Sequence, residues 1–277
     1  MKLFAVADIH LGFAANREAM AEIAPRPNDW LILAGDVGET IRHMRLAFEA
    51  LLPKFRKLVW VPGNHELWAV AGRDAEPGVP ALRGEERYRA FVDLCREYGV
   101  LTPEDDYPLI DIEGTAARLV PMFLLYDYTF RPPDIAAADA LAWAREGGVR
   151  CADEQFLSPY PHASRSDWCR ARCVETEARL VALGDEDVPR ILVNHWPLRE
   201  ELAKPPRIPR FSLWCGTKAT EDWHRRFNAA AVVSGHLHMP QTRVIDGVRF
   251  EEVSFGYPKQ WQGRRVPDDA LREIVIG

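Results

Sequence analysis

The sequence predicts an α/β fold with mixed sheets, and three observations carry that prediction. Short apolar or β-branched runs recur and stop abruptly in polar clusters, segments of helical patterning lie between them, and an Asp-Gly pair near the C-terminus separates two short apolar stretches. Continuous rather than alternating apolar runs indicate strands covered on both faces, as in layered α/β folds. Such folds gather their site residues at the C-terminal ends of strands.

In chain order, Leu3-Phe4-Ala5-Val6-Ala7 ends at Asp8, Trp30-Leu31-Ile32-Leu33-Ala34 at Gly35-Asp36, and Leu58-Val59-Trp60-Val61 at Pro62-Gly63-Asn64-His65. Ile191-Leu192-Val193 runs into Asn194-His195, and Ala230-Ala231-Val232-Val233 into Ser234-Gly235-His236-Leu237-His238. Another apolar run precedes Leu125-Tyr126-Asp127-Tyr128 and is expected to end a strand near the same face. Between the strands, Thr40 to Leu52, Glu85 to Tyr98 and Trp168 to Leu183 place apolar residues at three- and four-residue spacing, as helices do. Arg243-Val244-Ile245, Asp246-Gly247, Val248-Arg249-Phe250 reads as a hairpin, because Asp-Gly tolerates the positive φ angles of a tight primed turn. That antiparallel pair makes a sheet mixed. Ala71 to Gly84, Phe130 to Ala138 and Lys204 to Arg210 read as loops, since proline lacks the donor a helix or central strand needs. With no internal repeat or low-complexity linker, residues 1–277 are expected to form one domain.

Composition narrows the function classes. The 277 residues are 47% hydrophobic and 27% charged, which excludes a disordered or fibrous chain. With 35 Lys+Arg against 41 Asp+Glu, the net charge of -6 provides no global basic field for nucleic acid or anionic lipid. Cys95, Cys151, Cys169, Cys173 and Cys215 contain no CxxC pair, so neither a zinc ribbon nor a dithiol redox motif is present and reduced thiols are expected. Asp8 interrupts the N-terminal apolar run too early for a signal-peptide core or membrane span. A cytoplasmic protein without a membrane partner is expected.

Five of the eight histidines sit in the strand-end clusters. Asp8 and His10 are one residue apart, so a strand continuing through them would point both side chains at one metal ion, and His236 and His238 repeat that spacing. Carboxylate, imidazole and amide oxygen form a borderline-hard ligand set suited to Mn, Fe or Zn. A two-metal cluster is its natural use.

Taken in order, Asp8-Ile9-His10, Gly35-Asp36, Gly63-Asn64-His65-Glu66, Asn194-His195 and Gly235-His236-Leu237-His238 resemble the signature of calcineurin-like metallophosphoesterases. Each fragment alone is common; all five in order, from residue 8 to 238, are specific. Chain length and the G-N-H-E form of the third motif place the chain nearest the family's cyclic-nucleotide phosphodiesterases. The resemblance implies a four-layer α/β/β/α sandwich with two packed mixed β-sheets. It also implies two divalent or mixed-valence transition metal ions, one bound by Asp8, His10, Asp36 and His238 and the other by Asp36, Asn64, His195 and His236, with Asp36 bridging. A metal-bridging hydroxide would then attack the phosphorus of a phosphomonoester or phosphodiester on a small or nucleotide-like substrate. His65 would stabilise the transition state or protonate the leaving oxygen.

Where the family often has a second Asp three residues after Gly35-Asp36, this chain has Glu39, whose role the resemblance leaves open. Glu66 is read as an acid in the first turn of a helix, and Asn194 is given no role. His43, His162 and His224 lack a paired motif and are set aside. Gly35, Gly63 and Gly235 are expected to allow sharp turns. Core packing is the default for Trp68, Trp196 and Trp214, with a substrate wall as the alternative. Asp127, Tyr128 and Arg131 are substrate-side candidates. Lys204, Arg207, Arg210, Arg225 and Arg226 could attract phosphate, although a solvated face is the commoner use, and Arg165, Arg170 and Arg172 fit a solubility role. A nuclease and a catalytically silent scaffold are the competing functions. Net acidity counts against the first, and a complete ligand set against the second.

Overall fold

The computed structural model describes residues 1–70, 81–184, 187–263 and 267–276. In chain order the strands are β1 (Leu3–Val6), β2 (Arg26–Leu33), β3 (Phe55–Trp60), β4 (Leu109–Ile112), β5 (Thr115–Pro121), β6 (Arg190–Val193), β7 (Ala229–Ser234), β8 (Gln241–Ile245), β9 (Val248–Glu252) and β10 (Arg272–Glu273). The helices are α1 (Ala14–Glu22), α2 (Ile41–Leu51), α3 (Asn64–Leu67), α4 (Gly84–Glu97), α5 (Ala140–Glu146), α6 (Asp153–Phe156), α7 (Arg165–Ala182), α8 (Trp223–Arg226) and α9 (Pro258–Trp261).

A four-stranded sheet has the order β10-β1-β2-β3, and a six-stranded sheet the order β4-β5-β6-β7-β9-β8. β1, β2 and β3 run parallel, as do β5, β6, β7 and β9, while β10, β4 and β8 join their neighbours antiparallel. Alternation along each strand divides the core. Leu3, Ala5, Ile32 and Val59 meet Leu119, Ile191, Ala231 and Val233 in the layer between the sheets. Phe4, Val6, Leu31 and Leu33 face outward into a cluster with Met44, Phe48 and Leu51 of α2, to which Trp168 and Leu180 of α7 also belong. The result is the expected α/β/β/α layering. The chain after β9 stitches the sheets together: Ala7 N donates to Val253 O at 3.0 Å, and Phe255 N donates to Ala7 O at 2.8 Å.

The long predicted helices form, with Thr40 capping α2 by accepting from His43 N and Ser164 capping α7 by accepting from Asp167 N. The hairpin closes as expected, with φ of 52° at Asp246 and 80° at Gly247. β2 starts four residues earlier than its apolar run, because a register shift between Arg26 and Trp30 lets a half-exposed polar stretch pair with β3. The run before Leu125 is a strand only to Pro121; Met122 to Tyr126 leave the sheet yet stay buried. α1 carried no readable signal, since it buries only Asn16, Ala19 and Met20. The expected loop Ala71 to Gly84 lies outside the described residues from 71 to 80, and its last residue begins α4. In the other two loops, 3-10 helices begin at Ala137 and Pro209, one turn and two turns long. Among the described residues no helix is long and apolar enough to cross a membrane, and the five cysteines are unpaired.

α7 is held to the loop before β4 by a buried ion pair. Arg172 meets Glu104 Oε1 at 2.7 Å and donates to Phe123 O, and the Tyr88 hydroxyl also donates to Glu104. Burial pushes Glu104 upward, but Arg172, the Tyr88 hydroxyl and Arg89 outweigh it and hold the carboxyl below its ordinary value. A carboxyl with a lowered folded pKa contributes stability above the unfolded value, and that contribution is lost as pH falls through the folded one. Glu104→Gln leaves Arg172 with the exposed Glu175 carboxylate, 2.9 Å away, as its remaining counter-charge and is expected to cost about 2 kcal/mol near neutral pH. The same variant should flatten part of the acid-side fall in stability, which denaturant melts between about pH 7 and pH 3 measure.

Candidate metal centre

The strand ends turn instead of continuing. Asp8, His10, Asp36, His236 and His238 all have left-handed backbone, with φ of 54°, 47°, 52°, 73° and 53°, and make up five of the nine non-glycine residues with positive φ among those described. Each such residue costs about 1–3 kcal/mol and persists only where its surroundings hold it. The strand expected to carry Asp8 and His10 on one face stops at Val6, and that carrying His236 and His238 stops at Ser234. The side chains converge through these turns, not through a shared strand face. Asp8 N donates to Gly35 O, His10 N to Asp36 O and Leu11 N to Val37 O, each at 2.9 Å, which zips the first loop to the second.

The glycines serve close approach as much as turning. Gly35 has φ of 90°, but Gly63 and Gly235 do not need positive φ. A Cβ on Gly63 would lie 2.2 Å from Asp36 Oδ1, and one on Gly235 would lie 2.5 Å from Asp8 Oδ2.

Asp8 Oδ2 accepts from His236 N at 2.9 Å and from the Ser254 hydroxyl at 2.6 Å. Its Oδ1 is thereby turned inward, 3.0 Å from His238 Nε2 and 3.9 Å from His10 Nε2, and those two nitrogens are 3.1 Å apart. Asp36 Oδ1 accepts from His65 N at 2.9 Å, while Oδ2 stands 3.6 Å from His195 Nε2 and 3.7 Å from His65 Nε2. Asn64 Oδ1 is 3.1 Å from His236 Nδ1. Three overlapping groups have ligand atoms within 4.8 Å of one another: Asp8, His10, His238; Asp8, Asp36, His195; and His10, Asp36, His65. His236 and Asn64 stand together beside them.

The residues fit a pair of cations. His195 Nε2 and His236 Nε2 are buried and make no hydrogen bond, although such unpaired atoms normally cost about 1–3 kcal/mol each, and Asp8 Oδ1 is met by His238 Nε2. His195 Nδ1 faces Ala34 O at 2.8 Å, which assigns its proton to Nδ1 and leaves the Nε2 lone pair for the site; His238 Nδ1 faces Gln260 Oε1 at 2.8 Å, so its Nε2 is the atom turned to Asp8, and a cation there would take the place of the Nε2 proton. Burial lowers His195 to about 4 and His10 and His236 well below the ordinary range, so these imidazoles are neutral, as ligation requires, and it lowers His65 to about 4 as well. Burial, then Glu66 and Asp8, push Asp36 well up. Burial opposes the Asp8 and His238 charges, yet the two attract strongly enough that Asp8 is lowered and His238 rises to about 9.

Residues behind the cluster fix it. Glu66 does more than sit in the first turn of α3: its carboxylate accepts from Gly63 N at 2.9 Å, Asp36 N at 3.0 Å and Val37 N at 2.7 Å, clamping two motif loops together. Glu39 Oε1 lies 3.2 Å from His65 Nδ1 and so orients that ring. Asn194 accepts from Leu124 N and donates to Trp196 O, bracing the turn beside His195. Asp153, Gln260, Ser254 and Glu252 carried no sequence signal, since each stands alone in the chain and reaches the site only through folding. Asp153 Oδ1 accepts from Asn64 Nδ2 at 3.0 Å and Trp68 Nε1 at 2.7 Å, so the Asn64 carbonyl points inward.

Trp68 is half-buried, packs on His65 with ring centroids 3.7 Å apart, and helps line a cavity of about 580 Å³ with Phe13, Glu39, His65, Tyr257 and Lys259. Trp196 is fully buried against His195 and His236, and Trp214 is buried and donates to Glu154. The substrate-side candidates are engaged elsewhere: Asp127 accepts from Thr129 and Thr217, Tyr128 donates to Glu154, and Arg131 donates to Ile135 O and Tyr128 O. Arg210 donates to Trp143 O, Arg225 faces Asp246, and Arg226 faces Glu177, while Lys204 and Arg207 are exposed. Arg170 pairs with Asp167, but Arg165, which donates to Asp153 O, and Arg172 serve packing in place of the solubility role expected of them. His43 accepts from Glu39 N, His162 stacks on Trp168, and His224 meets Asp246.

Asp153→Ala frees the Asn64 amide to rotate, and metal affinity is expected to fall about 10- to 100-fold. Calorimetric titration of the apo protein with Mn(II) measures that loss.

A family model for calcineurin-like phosphoesterases matches residues 1–240. The acyl-carrier-protein phosphodiesterase PptH of Mycobacterium tuberculosis is 46% identical over 275 residues, covering 99% of this chain and 83% of that protein. The crystal structure of the phosphopantetheinyl hydrolase PptH from Mycobacterium tuberculosis superposes with a TM-score of 0.92 at 45% identity, covering 99% of this chain and 95% of that one. The chain belongs to the calcineurin-like phosphoesterases and is a hydrolase of phosphoric esters.

Proposed function

We propose that this enzyme cleaves the phosphodiester joining a phosphopantetheine arm to a side-chain hydroxyl of an acyl-carrier protein. The observation that carries this reading is the 46% identity, over 99% of the chain, to a phosphodiesterase of that substrate. The small phosphorylated group expected from the motifs is then one borne by a protein partner. Five unpaired cysteines support a reducing, cytoplasmic setting.

Asp8, His10, Asp36 and His238 would hold one metal ion, and Asp36, Asn64, His195 and His236 the other, with Mn, Fe and Zn all compatible with these donors. Bound there, two such ions supply Lewis acidity toward the phosphoryl oxygens and acidify water near neutral pH. The protein's own contribution begins with His65. Its Nδ1 is turned to the Glu39 carboxylate, so Nε2 is the atom that faces the reacting group. Burial keeps the ring neutral at rest, so the acid role requires a second proton, taken up as the phosphoryl group binds and stabilised by Glu39; that form would donate from Nε2 to the departing serine oxygen, and Trp68 packed on the ring keeps it in that orientation. The cavity beside His65 opens between Phe13, Trp68 and Tyr257, with Lys259 supplying a positive charge on its wall. Water addition gives phosphopantetheine and the carrier protein with its free hydroxyl.

Incubation of the metal-loaded enzyme with holo-carrier protein in oxygen-18 water tests this by mass spectrometry. The expected products are apo-carrier and labelled phosphopantetheine. Phosphoserine carrier with free pantetheine, or no cleavage, would contradict it. His65→Ala is expected to lower turnover about 10²- to 10⁴-fold while retaining metal. Asp36→Asn should lose both turnover and metal, read as metal content per chain.

A further inference from the structure

Asp8 is aimed by a chain of polar groups that starts in the opposite sheet. We propose that Glu252 and Ser254 are positioning residues for the metal centre, one carboxyl tying Asp8 on the first sheet to the His238 turn on the second. This rests on the metal-binding reading above.

Glu252 is the last residue of β9 and Ser254 lies where the chain crosses to β1; they are 6% and 1% exposed. The Ser254 hydroxyl is 2.6 Å from Asp8 Oδ2 and also contacts Glu252 Oε1. The same Oε1 accepts from Met239 N at 3.2 Å, directly after His238, and Oε2 accepts from Ser254 N at 3.3 Å. Glu252 therefore grips the backbone beside one candidate ligand and, through Ser254, the carboxylate of another. With His236 N and Ser254 both on Asp8 Oδ2, only Oδ1 faces the site.

Hydrogen counting gives the direction of the chain. A serine hydroxyl carries one hydrogen, and Ser254 lies between two carboxyl oxygens. If that hydrogen goes to Asp8, Ser254 can only accept from Glu252, which must then present an O–H. Burial, followed by the Asp8 charge, pushes Glu252 up to about 7, in keeping with this arrangement. An ionised Glu252 would instead compete for the hydroxyl hydrogen and leave Asp8 Oδ2 held by His236 N alone. Neither Glu252 nor Ser254 lines the cavity beside His65, so the relay acts through ligand geometry.

The test is calorimetric titration of the full-length apo protein with Mn(II), using wild type, S254A, S254T, E252A and the S254A/E252A double variant, with apo thermal unfolding to check folding. S254A and E252A are expected to weaken binding about 10- to 100-fold, and S254T, which keeps the hydroxyl, to restore it to within about threefold. Because both act through one chain, the double variant should be no weaker than the weaker single variant. Wild-type affinity in S254A, additive losses in the double variant, or an S254T as weak as S254A would each overturn the relay. Should E252A fail to fold, the contrast between S254A and S254T decides alone. A wild type that binds no Mn(II) would overturn the metal reading itself, a result distinct from a wild type that binds and variants that do not differ from it.

Discussion

The rim of the two sheets depends on a concentration of buried ligand atoms that the protein leaves short of hydrogen-bond partners. Asp8 Oδ1, His195 Nε2 and His236 Nε2 point into one small volume, and Asp36 is pushed upward there because a lone carboxylate at that depth is poorly solvated. Cations in that volume would reverse both penalties, satisfying the donors and stabilising the ionised carboxylates. Around this deficit the backbone accepts five left-handed residues, so the strain and the unpaired polarity fall on the same side chains.

Such an arrangement persists only if something stiffer encloses it. The layer between the sheets is built from small and branched residues, Ala5, Ala34, Ala117, Ala231 and Val233 among them, which let the strands that feed the rim pack closely. Above that layer the loops are fastened to each other and not to solvent. Glu66 holds three backbone N–H groups from two loops, and the first two loops exchange backbone bonds from Asp8 to Val37. Glu66 is buried and its pKa is raised by that burial, but the backbone donors it gathers favour the charged form. One carboxylate therefore sets the spacing between Asp36 and Asn64, a spacing that neither motif specifies alone.

What could be seen in the sequence were features whose cause is local. A continuous apolar run identifies a covered strand, and a histidine beside a glycine at its end identifies a rim, because both signals lie within a few residues. The left-handed turns were not legible: alternation along an extended strand also brings residues i and i+2 to one face, so Asp8 and His10 gave the right neighbours for the wrong geometry. Asp153, Gln260, Ser254 and Glu252 were hidden for a different reason. Each becomes relevant through a pairing that spans the fold, such as Ser254 to Asp8 across 246 positions, and no local pattern marks one acid or hydroxyl among many. Glu104 and Arg172 are similar, 68 positions apart and joined only by packing.

The two sides of the cluster are unequal, and this asymmetry decides how a substrate can approach. On the His195 and His236 side, Trp196 is fully buried, its ring and that of Phe211 lying against His236 with centroids 5.8 Å and 5.7 Å away. On the His65 side, the ring borders a cavity of about 580 Å³ whose wall includes the half-exposed Phe13. Of the histidines in the cluster, His65 is therefore the one that faces the cavity. On the sealed side burial keeps His195 and His236 neutral. The five histidines are set apart by what borders them and not by depth, since His65 and His236 are equally buried but only His65 faces the cavity.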